Sequence, residues 1–131
     1  MDRPEQDRQV ELEELLRVLE AAGSMHPDDP VAMYLREIGS LAPLSPDLEL
    51  ELVAAVRSGD EAASYRLAEL SLWEVVRMAR QFTGRGVAFL DLVQEGNLGL
   101  IGAVSQIALD EGSFSELRDA RVREAIERAF R

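Results

Sequence analysis

Residues that commonly carry catalysis are scarce in this chain. Cysteine is absent, which removes thiolate nucleophiles, thiolate zinc sites and disulfides. His26 is the only histidine, so a metal site would have to be built from carboxylates, and a histidine in a linker needs no ligand role. Acidic side chains are many, but no pair sits in an obvious apolar setting that would keep one of them protonated for general acid–base work. Gly84-Arg85-Gly86 lacks the longer glycine pattern and the lysine of a phosphate-cradling loop and reads as a turn. The expectation is a protein that is not an enzyme, takes no cofactor or metal, and acts by binding.

The charge balance narrows what it binds. In 131 residues, 25 acids face 14 bases, for a formal net charge of −11. A free-standing nucleic-acid binder needs a positive face, because phosphate neutralisation supplies most non-specific affinity. An acidic balance instead favours solubility and steers a chain toward basic protein surfaces. With 47% hydrophobic and 30% charged residues the composition is that of a globular domain rather than a disordered one. No apolar run approaches the ~18 residues of a membrane span, and no signal-peptide pattern opens the chain. The expected compartment is the cytoplasm, with no membrane partner.

The elements that would position a binding surface are helices. Val10 to Ala22 carries a leucine stripe on an acidic helix, stopped by Gly23, and 24–28 with Pro27 reads as a linker. Asp29-Pro30 and Ser45-Pro46 are both a capping residue followed by a proline at the first helical position. Val31, Tyr34, Leu35 and Ile38 make the apolar face after the first start, ending at Gly39. Leu48, Leu52, Val53 and Val56 make it after the second, ending at Gly59. Asp60 is expected to cap a long helix to about Phe82, with Trp73 in the core. A helix from Phe89 to Ile107 follows, and Ser113 with Glu116 forms a capping box for the last one, which places Val122, Ala125, Ile126 and Ala129 on one side. The expected fold is all-α, a compact bundle of about six helices without a sheet. The expected division is an acidic helix and linker over 1–28 and a helical domain over 29–131.

The helix from 89 to 107 carries the functional signal. At about 100° per residue, Phe89, Val93, Gly96, Leu100, Ala103, Val104 and Ile107 fall on one side, the expected core face. Gly96, Gly99 and Gly102 recur every third residue. Each costs about 1 kcal/mol against alanine inside a helix, so close approach of another backbone is expected to compensate. On the other side Leu90, Gln94, Asn97 and Ile101 cluster, with Asp91 and Leu98 beside them and Glu95 further round. A solvated face would be charged. This mixture of apolar area with orienting amides and carboxylates is the composition of a protein–protein contact, or else of a second core contact.

The string Phe-Leu-Asp-Leu-Val-Gln-Glu-Gly-Asn-Leu-Gly-Leu at 89–100 resembles region 2 of the sigma-70 family of bacterial transcription initiation factors. The likeness runs back through Val75-Val76, Ala79 and Phe82-Thr83-Gly84-Arg85-Gly86. Residues 29–39, Asp-Pro-Val-Ala-Met-Tyr-Leu-Arg-Glu-Ile-Gly, resemble the family's region 1.2. The resemblance implies a bundle like sigma-70 domain 2. It also implies binding to core RNA polymerase, on the coiled-coil clamp helices of the largest subunit, through Leu90, Asp91, Gln94, Glu95, Asn97 and Ile101.

Beyond residue 107 the sequence departs from the family pattern. There the family opens promoter DNA with an aromatic and basic stretch. Two arginines before a glycine become Asp110 and Glu111, a tyrosine becomes Leu117, a tryptophan pair becomes Ala120 and Arg121, and a promoter-reading glutamine becomes Glu124. Lost stacking is worth roughly 1–3 kcal/mol per base, and acids near phosphates replace attraction with repulsion. Phe114, Arg118, Arg121 and Arg123 remain as weak or lost DNA-binding positions. The four arginines 118, 121, 123 and 128 interleave with acids, so a solvated helix is the first expectation there. No basic helix-turn-helix follows, although a complete promoter-specificity factor should carry one.

The resulting expectation is a sigma-like protein that binds core polymerase and modulates transcription initiation, with a degenerate melting surface and little or no DNA binding of its own. The alternatives are a genuine or split sigma factor acting with a partner sigma subunit, and a decoy that captures an anti-sigma factor.

Overall fold

A computed structural model describes residues 4–23, 26 and 28–131. The expected linker residues Ser24, Met25 and Pro27 lie outside the described residues. Those described form seven α-helices and no strand: α1 (Pro4–Ala21), α2 (Pro30–Gly39), α3 (Pro46–Arg57), α4 (Glu61–Leu70), α5 (Leu72–Arg80), α6 (Phe89–Ile107) and α7 (Phe114–Arg128). Among them no helix is long and apolar enough to cross a membrane. The chain falls into two compact units, the first ending at Pro43 and the second running Leu44–Arg131. The division expected between residues 28 and 29 falls within the first unit, where α1 packs against α2.

Helix starts follow local chemistry. Asp29, Ser45, Asp60 and Ser113 each hold an extended backbone, and each side-chain oxygen accepts a main-chain N–H of the first turn, from Val31, Leu48, Ala63 and Glu116 respectively, at 3.2–3.3 Å. Such caps satisfy donors that the helix cannot, and each contributes about 1 kcal/mol. In the first unit α1 buries Leu12, Leu15 and Leu19, and α2 buries Ala32, Leu35 and Ile38. Arg8 is buried too and donates from Nη1 to the Leu41 carbonyl at 2.7 Å.

The long helix expected from Asp60 to Phe82 is instead two helices, broken at Ser71. The Ser71 side chain is fully buried, and its hydroxyl donates to the Leu67 carbonyl at 2.7 Å. Its main-chain N–H bonds Ala68 three residues back at 3.0 Å, a tighter turn than the α-helical one. A serine hydroxyl back-bonding to the preceding turn is a known cause of bending. The break sets α4 and α5 on separate courses, with Trp73 at the start of α5 only 2% exposed.

In the second unit α6 is the hub, packing on α3, α4, α5 and most extensively on α7. Every residue assigned to its core face is buried, and so are Leu92 and Gly99. Two of the three glycines mark close approach. A Cβ at Gly99 would lie 2.5 Å from the Arg121 main-chain oxygen and 2.9 Å from the Ala125 Cβ, and one at Gly96 would lie 2.6 Å from a Val75 methyl. Gly102 differs from expectation: a Cβ there would meet nothing within 4 Å.

A single arginine fastens the connector between α6 and α7. Arg57, at the end of α3, donates to the carbonyls of Ile107 (3.2 Å), Asp110 and Gly112 (3.2 Å). A little further on, the Ser115 hydroxyl donates to Glu49 at 2.6 Å. Of the Arg57 bonds, the one to Ile107 serves a carbonyl at the α6 C-terminus, and those to Asp110 and Gly112 serve carbonyls of the connector.

Candidate functional site

Close packing of α6 on α7 at Gly99 fixes the rotation of α6 about its axis, and that decides which residues face outward. Asp91, Gln94, Leu98 and Ile101 are exposed, while Leu90, Glu95 and Asn97 are half-buried. Leu98 keeps 63% and Ile101 58% of its surface exposed. The amide-and-leucine face is therefore an outer surface of the second unit and not a second core contact. Asp91 also lies in the first turn of α6, where the helix dipole favours a negative charge.

One edge of this face descends into a groove of about 500 Å³. Tyr65 and Ala68 of α4 and Leu72 of α5 line it opposite Leu100, Ile101 and Val104 of α6, with Ser64, Glu69, Asn97 and Ser105 as its polar residues. Tyr65, at 78% exposure, was missed by reasoning from the sequence. On its own helix it reads as one more solvated position. The groove brings α4 against α6, some thirty positions apart in sequence, and no local pattern announces that.

The four residues assigned to weak or lost DNA contact are placed differently from one another. Phe114 is 2% exposed, a core side chain. Arg118 departs from the expected solvated helix face: it is only 8% exposed, its guanidinium lies 5.8 Å from the centre of the Phe114 ring, and Nε bonds Asp119 at 3.0 Å. Arg121 donates to Gln106 at 2.9 Å and to Glu124 at 3.1 Å. Arg123 donates to Gln81 at 3.1 Å and sits 5.7 Å from the Phe82 ring centre. Phe82 in turn stacks on Phe130 at 5.9 Å, with Arg85 over both rings. Each of the three arginines thus has an acidic, amide or aromatic neighbour within its own unit. The acids Asp110 and Glu111 lie on the connector that Arg57 fastens.

Among the described residues no group of three or more His, Asp or Glu side chains is arranged to hold a metal. His26 is exposed.

Residues 29–62 match the sigma-70 factor region 1.2 model, and residues 67–117 match the sigma-70 region 2 model. The chain belongs to the sigma-70 family. In sigma-70 terms, α2 and α3 lie in region 1.2, while α5, α6 and the start of α7 lie in region 2. The region 2 match ends at Leu117, so the departures at 120, 121 and 124 fall beyond it. Over 104 residues the chain is 48% identical to the RNA polymerase sigma factor SigA of Clostridium acetobutylicum and 50% identical to that of a Bacillus species. Each alignment takes in 79% of this chain and 28% of the relative, so this sigma-70 chain spans less than a third of the length of the curated relatives it matches.

Proposed function

We propose that this chain docks on core RNA polymerase and modulates transcription initiation by binding alone. The docking surface is Leu90, Asp91, Gln94, Glu95, Asn97 and Ile101 of α6, and the partner is the coiled-coil clamp of the largest polymerase subunit. The observation that carries the reading is the outward presentation of that mixed face on a helix whose rotation is fixed by Gly99. Ile101, with half-buried Leu90 and the neighbouring exposed Leu98, supplies apolar area, the amides set orientation, and Asp91 and Glu95 suit a basic partner and favour fast encounter. On the neighbouring surface, acids stand where the family carries arginines, and Arg118, Arg121 and Arg123 are engaged within the domain. The melting surface is therefore read as degenerate. The chain would compete with a complete sigma factor for polymerase, or hold polymerase without promoter specificity, in the cytoplasm where that polymerase works. Retention on immobilised core polymerase tests the reading, comparing the wild-type chain with Asp91→Lys and Gln94→Lys. Failure of the wild-type chain to be retained removes it.

A second reading is favoured by the level of identity to two proteins named as RNA polymerase sigma factors. In it the chain is part of a genuine sigma factor, with promoter reading supplied by further sequence or by a partner chain. Promoter-specific transcripts from a promoter library in the presence of this chain and core polymerase would select that reading.

A further inference from the structure

The groove between α4 and α6 has a protruding side chain at its own lip. Tyr65 stands there, largely exposed, across from Ile101. The walls are apolar, with the hydroxyls of Ser64 and Ser105 and the carboxylate of Glu69 among the few polar groups. Such a cleft suits an aromatic ring that ends in one polar group. Tyrosine is that side chain, and buried tyrosines are frequent energetic anchors of interfaces. A knob and a cleft that fits it, side by side on one face, meet the condition for an isologous contact. In that arrangement residue i of one copy meets residue j of the other, and j meets i.

The charges on this face are compatible with a second copy. Arg66 is the one base on α4 or α6. It lies 3.2 Å from Glu69, and both side chains are about half exposed. Glu61, one turn before Tyr65, is exposed too. Along α4 each copy therefore offers a base and two acids to the other. The acids of α6, Asp91 and Glu95, lie about 15 Å and 9 Å along the helix from Ile101, toward the rim. The overall charge of −11 opposes association, so a pair of copies is a modest complex held by its anchors.

We propose that the α4–α6 groove is the site at which two copies of this chain pair. Tyr65 of each copy seats its ring in the groove of the other, and Arg66 of each faces Glu61 and Glu69 of the other. Asn97 and Ile101 belong both to the groove and to the face proposed to dock on polymerase, so pairing covers part of that face. This consequence rests on the docking reading; the pairing itself does not.

The test is sedimentation equilibrium of the full chain from low micromolar to submillimolar concentration. It compares wild type, Tyr65→Ala, Ala68→Trp and Leu109→Ala, with a thermal melt of each at the lowest concentration. Wild type is expected to pass from monomer to dimer across this range. Tyr65→Ala is expected to weaken the dimer about a hundredfold, about tenfold for each of the two anchors lost, with an unchanged monomer melt. Ala68→Trp, which fills the groove, is expected to weaken it at least as far. Leu109→Ala, at an exposed leucine outside the groove, is expected to dimerise as wild type does. A wild-type chain that stays monomeric throughout overturns the pairing and leaves the groove to another protein or a small ligand. No polymerase enters the measurement, so that result leaves the docking reading as it was. Dimers that Tyr65→Ala and Ala68→Trp leave unweakened, or that Leu109→Ala weakens as much as Tyr65→Ala does, overturn it too. Should Ala68→Trp fail to fold, Tyr65→Ala at its exposed site decides alone.

Discussion

Gly99 of α6 packs against the main chain of α7 at Arg121, close enough that a Cβ at position 99 would stand 2.5 Å from the Arg121 carbonyl oxygen. The partner is backbone and cannot swing aside. This contact sets the rotation of α6, and the rotation sets which side chains a partner meets.

Gly99→Ala is expected to destabilise the fold. The methyl gains about 1 kcal/mol of helix propensity but forces α6 and α7 apart, at the 1–3 kcal/mol or more typical of overpacking. A net loss of about 1–2 kcal/mol lowers the melting temperature by roughly 4–8 °C in a chain of this size. A melting temperature at or above that of wild type would contradict the contact.

Gly102→Ala is expected to act in the opposite sense. Its Cβ meets nothing within 4 Å, so the helix gains about 0.5–1 kcal/mol. The urea midpoint of the free chain should rise with an unchanged slope. A fall would show that the site is not open.

These two glycines show how far the sequence could be read. The period of Gly96, Gly99 and Gly102 signalled close approach of another backbone; Gly99 makes it with the α7 main chain, Gly96 meets the side chains of Val75 and Ile126 instead, and Gly102 meets nothing, a difference that only the placement of α7 and α5 decides. The four caps and the core face of α6 were legible because each depends on residues a few positions apart. The break at Ser71 was not, since a buried serine bonding to the preceding turn looks, in sequence, like any serine in a helical pattern. The groove at Tyr65 was not legible either, since its two walls, α4 and α6, lie some thirty positions apart in sequence. Arg57 likewise reads as a basic residue ending α3, and its acceptors lie some fifty positions away in sequence.

Arg57→Ala is expected to loosen the connector. Three carbonyls lose a charged donor, and hydrogen bonds to charged groups are each worth about 1.5–3 kcal/mol when fully formed, less where they are exposed. Amide exchange at Leu109, Asp110 and Gly112 should accelerate about tenfold relative to α5. Uniform exchange rates in the two chains would show that the connector holds without this arginine.

The proposal that Asp110 and Glu111 stand where the family carries arginines makes a prediction about DNA. The wild-type chain is expected to show little binding to single-stranded promoter DNA by fluorescence anisotropy. Asp110→Arg with Glu111→Arg should bind measurably and steepen the dependence of log affinity on log salt by about 1.4, for two added phosphate contacts at about 0.7 each. Tight, strongly salt-dependent binding by the wild-type chain would contradict a degenerate melting surface.

The central claim is the outward face of α6 as a polymerase-docking surface. Its most direct test is equilibrium binding of the chain to purified core RNA polymerase, comparing wild type with Asp91→Lys and Gln94→Lys, both at exposed positions. The account predicts saturable binding by the wild-type chain and a loss of about tenfold or more in each variant, with melting temperatures unchanged. Equal affinity of all three chains, or no binding by the wild type, would contradict it.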